Sequence, residues 1–443
     1  MKRLLYIALS VCTLCISAQA QDFSRLGERT IMGTARYVGM SGAMSAIGAD
    51  PSAVVDNVAG LGLYRRHEVM LTFDYMADKT VQPGYPNIAG RSYLAMLPQV
   101  SLVLCFPTNN VSGILCHNIL FSYQRQHTFN RAMMGSASNS PSLGALFATS
   151  TANMQIPYCT DRINADDQLM LYESGYVNAY SFDWAMNLSN RWYIGAGLRL
   201  HSFSMVSQGE YQEWFKHYSP DGKEYFNYSQ TKVLFDGAGV SLALGAIYRP
   251  VQWFRLGVGL ETPSVGSFHI STSGAFQAQT DTLGWAPDAP HLRSEATDFH
   301  MPLHLSTSAA FQVTKYALFA LQYDYFHQPG EIDRHSLRAG VEVVPYAGLY
   351  LNAGYACESP FRQTYPAVAM DETLDRQDTY FQRIRRTQYV SGAIGYRGRH
   401  ILIQAAYQYR LQHVNVWAHE NITEPYELNA HTHRVVVTIG WHR

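Results

Sequence analysis

Residues 180–200, YSFDWAMNLSNRWYIGAGLRL, contain two segments in which large apolar residues occupy every second position. The apolar positions of the first segment are Tyr180, Phe182, Trp184, Met186 and Leu188. After Ser189 and Asn190 the alternation resumes at Trp192, and the opposite face carries glycines and Arg199. Because successive side chains of a strand point to opposite faces of a sheet, this period of two predicts an antiparallel β-hairpin with one apolar face.

The same alternation recurs along most of the chain, from about His67 to a last segment that ends near Trp441. Hydrophobic residues make up 47% of the sequence and charged residues only 15%, against about 25% in an ordinary soluble domain. No stretch beyond residue 20 approaches the roughly 18–20 uninterrupted apolar residues of a membrane-spanning helix. These features are typical of a transmembrane β-barrel, whose apolar face meets lipid and whose polar face lines the lumen.

Short and long connections alternate between the predicted strands. Tight turns are predicted at residues 107–112, 189–191, 250–252, 314–315, 345–347 and 397–399. Longer polar connections are predicted at residues 77–91, 128–175, 211–229, 282–299, 327–334, 358–386 and 413–430. In outer-membrane barrels short turns face the periplasm and long loops face outward, so the pattern predicts an all-β fold, a transmembrane antiparallel barrel of about fourteen strands. A β-propeller is disfavoured because no repeat of about 40–50 residues recurs.

The first twenty residues have the order of an export signal: Lys2 and Arg3, an apolar run over residues 4–16, and then small residues. This order predicts cleavage after position 20. A lipoprotein signal is disfavoured because Cys12 and Cys15 follow branched apolar residues, where lipidation prefers a small one.

The segment that follows the signal lacks the alternation and is rich in glycine, alanine and serine. Asp50 followed by Pro51 predicts the N-cap and first residue of a short helix, which should end near Asp56 and Asn57. A compact segment of small residues ahead of the first strand predicts a small N-terminal helical hatch in the lumen; the alternative is a disordered periplasmic segment. The predicted domains are a signal peptide (1–20), a hatch or plug (21–66) and a transmembrane β-barrel (67–443).

Two stretches of the predicted hatch, residues 33–43 (GTARYVGMSGA) and 48–61 (GADPSAVVDNVAGL), resemble the opening of the FadL/TodX family of outer-membrane transporters of hydrophobic compounds. That family carries an Asn-Pro-Ala motif before its first strand. The corresponding hatch motif of this chain, with valine in place of the proline, is Asn57, Val58, Ala59 and Gly60. The resemblance implies a fourteen-stranded barrel blocked by the hatch, with hydrophobic ligands captured at a groove between extracellular loops. These ligands then pass inward by diffusion, in some accounts through a lateral gap in the wall.

Candidate ligand-binding residues lie in the long connection 128–175 and on the lumen face of the strands. The apolar side chains of that connection that are predicted to form a docking groove are Met133, Met134, Leu143, Leu146 and Phe147. The alternative is that they pack against the barrel rim. Arg199 and Arg338 are predicted to face the lumen, where a guanidinium pairs with a ligand carboxylate or with an acidic neighbour such as Glu342 or Asp183.

The sequence offers little support for catalysis, metal binding or nucleic-acid binding. It has no nucleophile-elbow or Gly-rich phosphate motif, and a formal net charge of −1 gives no basic surface for nucleic acid. No cofactor is expected. His431 and His433 have the spacing of a metal-binding pair but no third ligand nearby, so a polar interfacial pair is predicted. The cysteines beyond the signal, for which neither a metal site nor a disulfide is assigned, are Cys105, Cys116, Cys159 and Cys357.

Together with the family resemblance, these patterns predict a monomeric channel of the bacterial outer membrane for passive uptake of hydrophobic small molecules, such as long-chain fatty acids or aromatic hydrocarbons. Its expected partners are outer-membrane lipid, the hydrophobic ligand and, during insertion, the barrel-assembly machinery. The first alternative is a FadL-like barrel that serves as a shuttle for surface or secreted proteins, or as a structural outer-membrane protein. The second is an outer-membrane enzyme, which would need a serine beside a base at the lipid boundary.

Overall fold

The computed structural model describes residues 27–141, 164–214, 226–280, 284–287, 291–299, 301–328, 333–359, 381–418 and 424–443. The predicted signal peptide, Leu143, Leu146, Phe147 and Cys159 lie outside these residues. The described residues form one antiparallel sheet of eighteen strand segments. Because β1, the first of these segments, pairs with β18, the last, the sheet closes into a barrel.

The strand segments are β1 (Glu68–Gln82), β2 (Tyr85–Pro107), β3 (Ile114–Thr128), β4 (Arg131–Pro141), β5 (Asn164–Leu188), β6 (Trp192–Trp214), β7 (Phe226–Val251), β8 (Phe254–Glu261), β9 (Val265–Thr280), β10 (Gly284–Pro287), β11 (His291–Phe299), β12 (Leu303–Thr314), β13 (Ala317–His327), β14 (Arg334–Tyr346), β15 (Leu349–Glu358), β16 (Phe381–Arg397), β17 (Ile401–Trp417) and β18 (Tyr426–His442).

Several barrel strands are broken into shorter segments. β3 and β4 both pair with β5, and β8 and β9 both pair with β7. β10 and β11 pair with β9, and β12 continues the same barrel strand along β8. The eighteen segments therefore make fourteen barrel strands, which confirms the predicted all-β barrel.

The outer face of the barrel is apolar and the inner face is small or polar, as the alternation predicts. On β6, Leu198 is 41% exposed whereas its neighbour Arg199 is fully buried. On β5, Phe182 is exposed and Asp183 is buried. A soluble sandwich would cover its apolar faces; here they form the outer surface of the barrel, which suits a lipid environment.

The tight turns lie within two residues of their predicted positions, for example at residues 189–191 between β5 and β6. The long connections are shorter than predicted because the strands extend further. Pro83 and Gly84 alone join β1 to β2, so the long connection predicted at residues 77–91 is wrong. Beyond the lipid both faces of a hairpin meet water, and the backbone ladder continues where the apolar alternation has ended.

The described residues ahead of β1 form the hatch, defined here as residues 27–66, which lies inside the barrel. It contains α1 (Ala35–Gly39), α2 (Pro51–Asp56) and a 3-10 helix, η1 (Val58–Leu63). The Asp50 side chain accepts a hydrogen bond from the Ser52 N–H and Pro51 opens α2, so the predicted start of this helix is confirmed. Within the described ranges, no helix is long and apolar enough to cross a bilayer.

Candidate functional site

The lumen contains three features that together form a candidate site. The hatch lies at the end of the barrel that carries the tight turns, an apolar cluster lies toward the opposite end, and the wall is broken between β2 and β3. The hatch leads directly into β1, where His67 and Arg443 exchange backbone hydrogen bonds of 3.2 and 3.1 Å. The start of the barrel, its last residue and the tight turns therefore share one end, here called the short-turn end; the other is the long-loop end.

Arg338 on β14 ties the hatch to the barrel wall. Its guanidinium lies 3.0 Å from an Asp324 carboxylate oxygen on β13 and 3.2 Å from an Asp56 oxygen at the end of α2. The Tyr37 hydroxyl donates to the same Asp56 oxygen at 2.7 Å and accepts from Arg338 at 3.1 Å. All four side chains are buried, so the arginine is matched by carboxylates from both the wall and the hatch.

Further polar contacts join the hatch and the wall, among them an ion pair of 2.7 Å between Arg29 of the hatch and Glu261 of β8. Arg36 in α1 donates two hydrogen bonds to Glu342 on β14, at 2.6 and 2.8 Å. Arg199 on β6 pairs with Glu261 and donates to the Val54 carbonyl oxygen in α2 at 3.1 Å. The two-pronged Arg36–Glu342 pair imposes a defined geometry, and the other contacts add to it, so the hatch is fixed at one position in the lumen.

Arg199 and Arg338 therefore face the lumen, but protein carboxylates hold both guanidinium groups. Their partners lie on β8, on β13 and in the hatch, rather than at the acidic neighbours suggested by the sequence, Glu342 and Asp183. Both side chains are buried beneath the hatch. A ligand carboxylate would have to displace these contacts to reach either arginine.

Asp50 links the two α-helices of the hatch. It caps α2, and the Thr34 hydroxyl, which caps α1, lies 2.8 and 2.9 Å from its two carboxylate oxygens. Burial raises the pKa of the Asp50 carboxyl group, whereas the Arg36 guanidinium and the hydrogen bonds from Thr34 and Ser52 act in the opposite direction. The two helix N-termini are thus held together by one buried carboxyl group.

Glycines on the inner face of β7 and β8 receive the segment that carries the hatch motif. A Cβ atom at Gly245 would overlap the Asn57 side-chain oxygen, and one at Gly259 would overlap the Asp56 carbonyl oxygen. Only glycine permits this close approach of the hatch to the wall. This docking surface was not predicted from the sequence, although the alternate glycines of β8, Gly257 and Gly259, are a signal for it.

Asn57 anchors the hatch motif through three hydrogen bonds. Its side-chain oxygen accepts from the Ala59 N–H at 3.1 Å, which caps η1. Its amide nitrogen donates to the carbonyl oxygens of Ser45 and Ala246, at 3.2 and 3.3 Å. This residue therefore joins two parts of the hatch to β7, while Gly60 packs against Gly48 within the hatch.

The FadL/TodX motif has proline at the position of Val58. Replacing Val58 by proline is expected to change the free energy of unfolding by less than about 1 kcal/mol. Val58 is the first residue of η1, where a missing N–H is tolerated. Asn57 already has a φ of −151° and a ψ of 105°, the extended conformation preferred before proline. Thermal unfolding followed by circular dichroism should give a Tm close to that of the unmodified protein.

The matched control for this prediction is Val54→Pro. Its N–H donates to the Asp50 carbonyl oxygen within α2, so proline there should cost at least about 3 kcal/mol. Equal loss of stability in the two variants would contradict the assignment of residue 58 to the helix start.

Toward the long-loop end, inward side chains of six strand segments and the residue that follows β17 form a packed cluster of buried apolar side chains, here called the chamber. Its members are Met133, Leu169, Leu171, Tyr211, Ile384, Val414, Val416, Ala418, Tyr426 and Leu428. Barrel interiors are normally polar, so an apolar cluster at this place requires an explanation. Sites for small apolar ligands are concave and lined by such side chains.

The structure places the two described methionines of the predicted docking groove on β4, which is a strand rather than part of a loop. Met133 lies in the chamber opposite Leu171 of β5, and Met134 is half-buried on the other face. The chamber otherwise comes from strands that the sequence analysis did not single out for ligand binding. Their residues are far apart in the chain, and only barrel closure brings them together.

A small polar cavity of about 20 Å³ lies between the chamber and the first residues of the hatch, and this is room for a water molecule. Its charged and polar lining includes Glu28, Arg29, His127, Arg334, Glu358 and Arg410. Ile384 borders both the cavity and the chamber. A packed apolar cluster therefore adjoins a small polar cavity within the lumen.

The wall is broken between β2 and β3. These strands pair from Pro107 and Cys116 as far as Gln99 and Gln124, and there the pairing stops. β4 then lies against the inner face of the first hairpin: the Ser92 hydroxyl donates to the Asn130 carbonyl oxygen at 3.1 Å, and Gln82 exchanges two hydrogen bonds of 2.8 Å with Ser136. Residues 85–98 of β2 consequently have no described strand partner on this side.

The sequence contains a cause for this break. Pro98 stands beside the last pair, and proline has no N–H to continue a ladder. The register of β2 against β1 also shifts between Met96 and Gln99, which marks a bulge. On the other side of the break, Phe129 packs inward against Val177 and Phe203, so apolar side chains line the lumen there too.

Replacing Gly175 by alanine is expected to destabilise the barrel by at least about 2 kcal/mol. Gly175 lies on β5 opposite the β3–β4 break, has a φ of +136°, and leaves no room for a Cβ atom beside the Ser204 carbonyl oxygen. Loss of heat resistance in gel mobility, together with the Tm, measures the effect. Gly84→Ala is the control, because its φ is +87° but no atom lies within 4 Å of the added Cβ. If both variants lose the same stability, the crowding around Gly175, opposite the β3–β4 break, does not affect the stability of the barrel.

No protein-family model and no curated protein matches the chain. Among solved structures, a Pseudomonas aeruginosa FadL homologue is 12% identical with a TM-score of 0.58, over 94% of this chain and 99% of that chain. The P. putida toluene transporter TodX is 13% identical with a TM-score of 0.52, over 93% and 98%. The Ralstonia pickettii toluene transporter TbuX is 13% identical with a TM-score of 0.50, over 93% and 98%. The chain therefore has the fold of the FadL and TodX proteins, which confirms the resemblance at the level of fold.

Proposed function

We propose that this chain is a monomeric channel of the bacterial outer membrane that takes up hydrophobic small molecules. The observation that carries this proposal is the apolar chamber inside the lumen, between the hatch and the long-loop end. The fold supports it, because solved structures with the same fold include two toluene transporters. Those neighbours are channels and transporters, which also supports a non-enzymatic role.

The chamber offers an apolar solute a favourable stop on its way across a polar membrane surface. Burial of apolar area gains about 25 cal/mol per Å², so a hydrocarbon chain is held without hydrogen bonds or a cofactor. Met133 belongs to this cluster, and methionine adapts to ligands of varied shape. Uptake then needs only a downhill path out of the chamber.

The hatch and the wall break favour a lateral path over an axial one. The ion pairs at Arg338 and Arg36 hold the hatch across the short-turn half of the lumen. The break between β2 and β3 offers an exit that leaves these pairs intact. An apolar ligand would leave through the break into the membrane, where its hydrophobic area stays out of water.

The polar cavity beside the chamber favours a ligand that has one polar end. Ile384 belongs to the chamber and also lines the cavity, where Arg410 and Glu358 supply charge. A long-chain carboxylic acid would pack its chain against the chamber side chains and direct its head group toward the arginines beside the polar cavity. We therefore place long-chain fatty acids ahead of aromatic hydrocarbons as the substrate class.

Equilibrium binding to the full chain in lipid nanodiscs tests the proposed function. Tritiated palmitate, toluene and glucose are compared, each with and without an excess of unlabelled compound. We expect saturable binding of palmitate, weaker binding of toluene and none of glucose. Passage of glucose through the reconstituted barrel, without retention of either hydrophobic compound, would contradict the proposal.

A further inference from the structure

A row of basic side chains crosses the outer face of the barrel near the long-loop end. Arg91 of β2 lies directly opposite Lys79 of β1, and Lys79 lies directly opposite His431 of β18. All three point away from the lumen, with Arg91 and Lys79 exposed and His431 half-buried. We call these three residues the basic row.

Aromatic side chains border the basic row on its membrane side. The next outward position along each strand, two residues from the basic row, is Tyr93 on β2, Ala77 on β1 and His433 on β18. Tyr93 and His433 both lie opposite Ala77. The Tyr409 hydroxyl hydrogen-bonds His431 at 2.6 Å, and the Tyr407 hydroxyl hydrogen-bonds His433 at 2.7 Å. Tyrosine at this position is typical of the boundary between acyl chains and head groups.

The distance along β18 between Trp441, at the short-turn end of the apolar outer surface, and His431 places the basic row at the level of the lipid head groups. Trp441, exposed near the short-turn end of β18, stands ten residues from His431. At about 3.4 Å per residue and a tilt of about 40°, this is about 26 Å along the barrel axis. The apolar band of an outer-membrane barrel is about 25 Å tall.

The basic row has little counter-charge of its own. Lys79 and Arg91 are like charges directly opposite each other, an arrangement that destabilises a sheet unless an anion lies between them. Near the row, on β16–β18, β1 and β2, Glu427 is the one described carboxylate that points outward. It lies two register rows further from the lipid and pairs with Arg385 at 3.0 Å.

We propose that the basic row binds the phosphate groups of a phosphorylated glycolipid in the outer leaflet. The inference rests on the proposed membrane location, but not on the ligand that the channel carries. Lys79 and Arg91 supply permanent positive charge, and Tyr93 and Tyr409 lie where the sugar meets the acyl chains. A lipid bound here covers the wall beside the break, because residues 85–98 of β2 form one edge of it.

The test measures binding of bisphosphorylated lipid A to the full chain in zwitterionic nanodiscs at about 0.1 M salt. The Lys79→Gln/Arg91→Gln double variant is expected to bind about 10- to 30-fold more weakly, since each basic residue at a membrane surface contributes roughly one factor of five. Dephosphorylated lipid A should bind weakly, with the same affinity for the unmodified protein and for the double variant. Millimolar inorganic phosphate should not displace the lipid.

The control is the Lys315→Gln/Arg399→Gln double variant, which removes the same two charges from exposed residues at the short-turn end. It should bind lipid A like the unmodified protein. Unchanged affinity in the Lys79→Gln/Arg91→Gln variant would overturn the proposal, and full displacement by phosphate would show a phosphate site instead of a lipid site. Palmitate binding should be the same in both double variants, so failure of the transport proposal and failure of this one give different results.

Discussion

Replacing Arg338 by methionine is expected to destabilise the protein by about 3–5 kcal/mol and to loosen the hatch. The change would remove the guanidinium that lies 3.0 Å from Asp324 and 3.2 Å from Asp56, both buried, and Asp324 would keep only its contact with His304 as an ion pair. Unpaired buried charge costs more than the pair itself contributes. Urea unfolding in detergent gives the stability, and limited proteolysis within residues 27–66 reports whether the hatch has left the lumen.

A matched control removes an arginine from an exposed pair. Arg385 and Glu427 lie 3.0 Å apart with side chains 55% and 64% exposed, so Arg385→Met should cost less than about 1 kcal/mol. Adding Asp324→Asn to Arg338→Met should restore part of the lost stability, because it removes one unpaired charge. If Arg338→Met is no worse than Arg385→Met and leaves the hatch resistant to protease, the ion pairs do not hold it.

Replacing Leu171 by glutamine is expected to weaken palmitate binding about 30- to 100-fold. Leu171 is fully buried in the chamber opposite Met133, and a bound chain would have to desolvate the new amide without pairing it. An unpaired polar group buried by a ligand costs about 2–2.8 kcal/mol, which corresponds to this change in Kd. The measurement is equilibrium binding of tritiated palmitate in nanodiscs.

The same substitution on the other side of the wall provides the control. Leu198 of β6 faces outward, so Leu198→Gln should leave palmitate affinity unchanged. Leu171→Met conserves volume and apolarity and should bind palmitate within about threefold of the unmodified protein. Normal binding by Leu171→Gln, with a correctly folded barrel, would exclude the chamber as the binding site.

The barrel was predictable because outward side chains face lipid and inward ones face the lumen, so apolar and polar residues alternate along each strand. Alternation over residues 180–200 predicts both strands and their faces, and tight turns follow from breaks in the alternation. The α2 start at Asp50 and Pro51 was likewise predictable, since capping depends on local residues alone. Strand length was not, because outside the lipid the hairpin continues without apolar alternation, as at residues 77–91.

The candidate site was less predictable because it depends on contacts between distant parts of the chain. Arg338 was placed in the lumen correctly, yet its partners Asp324 and Asp56 come from another strand and from the hatch. Met133 was singled out from the sequence, whereas Val414 and the rest of the chamber became neighbours only through barrel closure. Pro98 marks the wall break, but only pairing in three dimensions shows which strand it leaves unpaired.

The most direct test of the central claim, that the lumen binds an apolar ligand above the hatch, is photolabelling. A palmitate analogue with a diazirine in its chain is bound to the full chain in nanodiscs, irradiated and located by peptide mass spectrometry. We predict labels on chamber residues such as Leu171 and Val414 that disappear with excess unlabelled palmitate. Labels confined to outward residues such as Leu198, and unchanged by excess palmitate, would contradict the account.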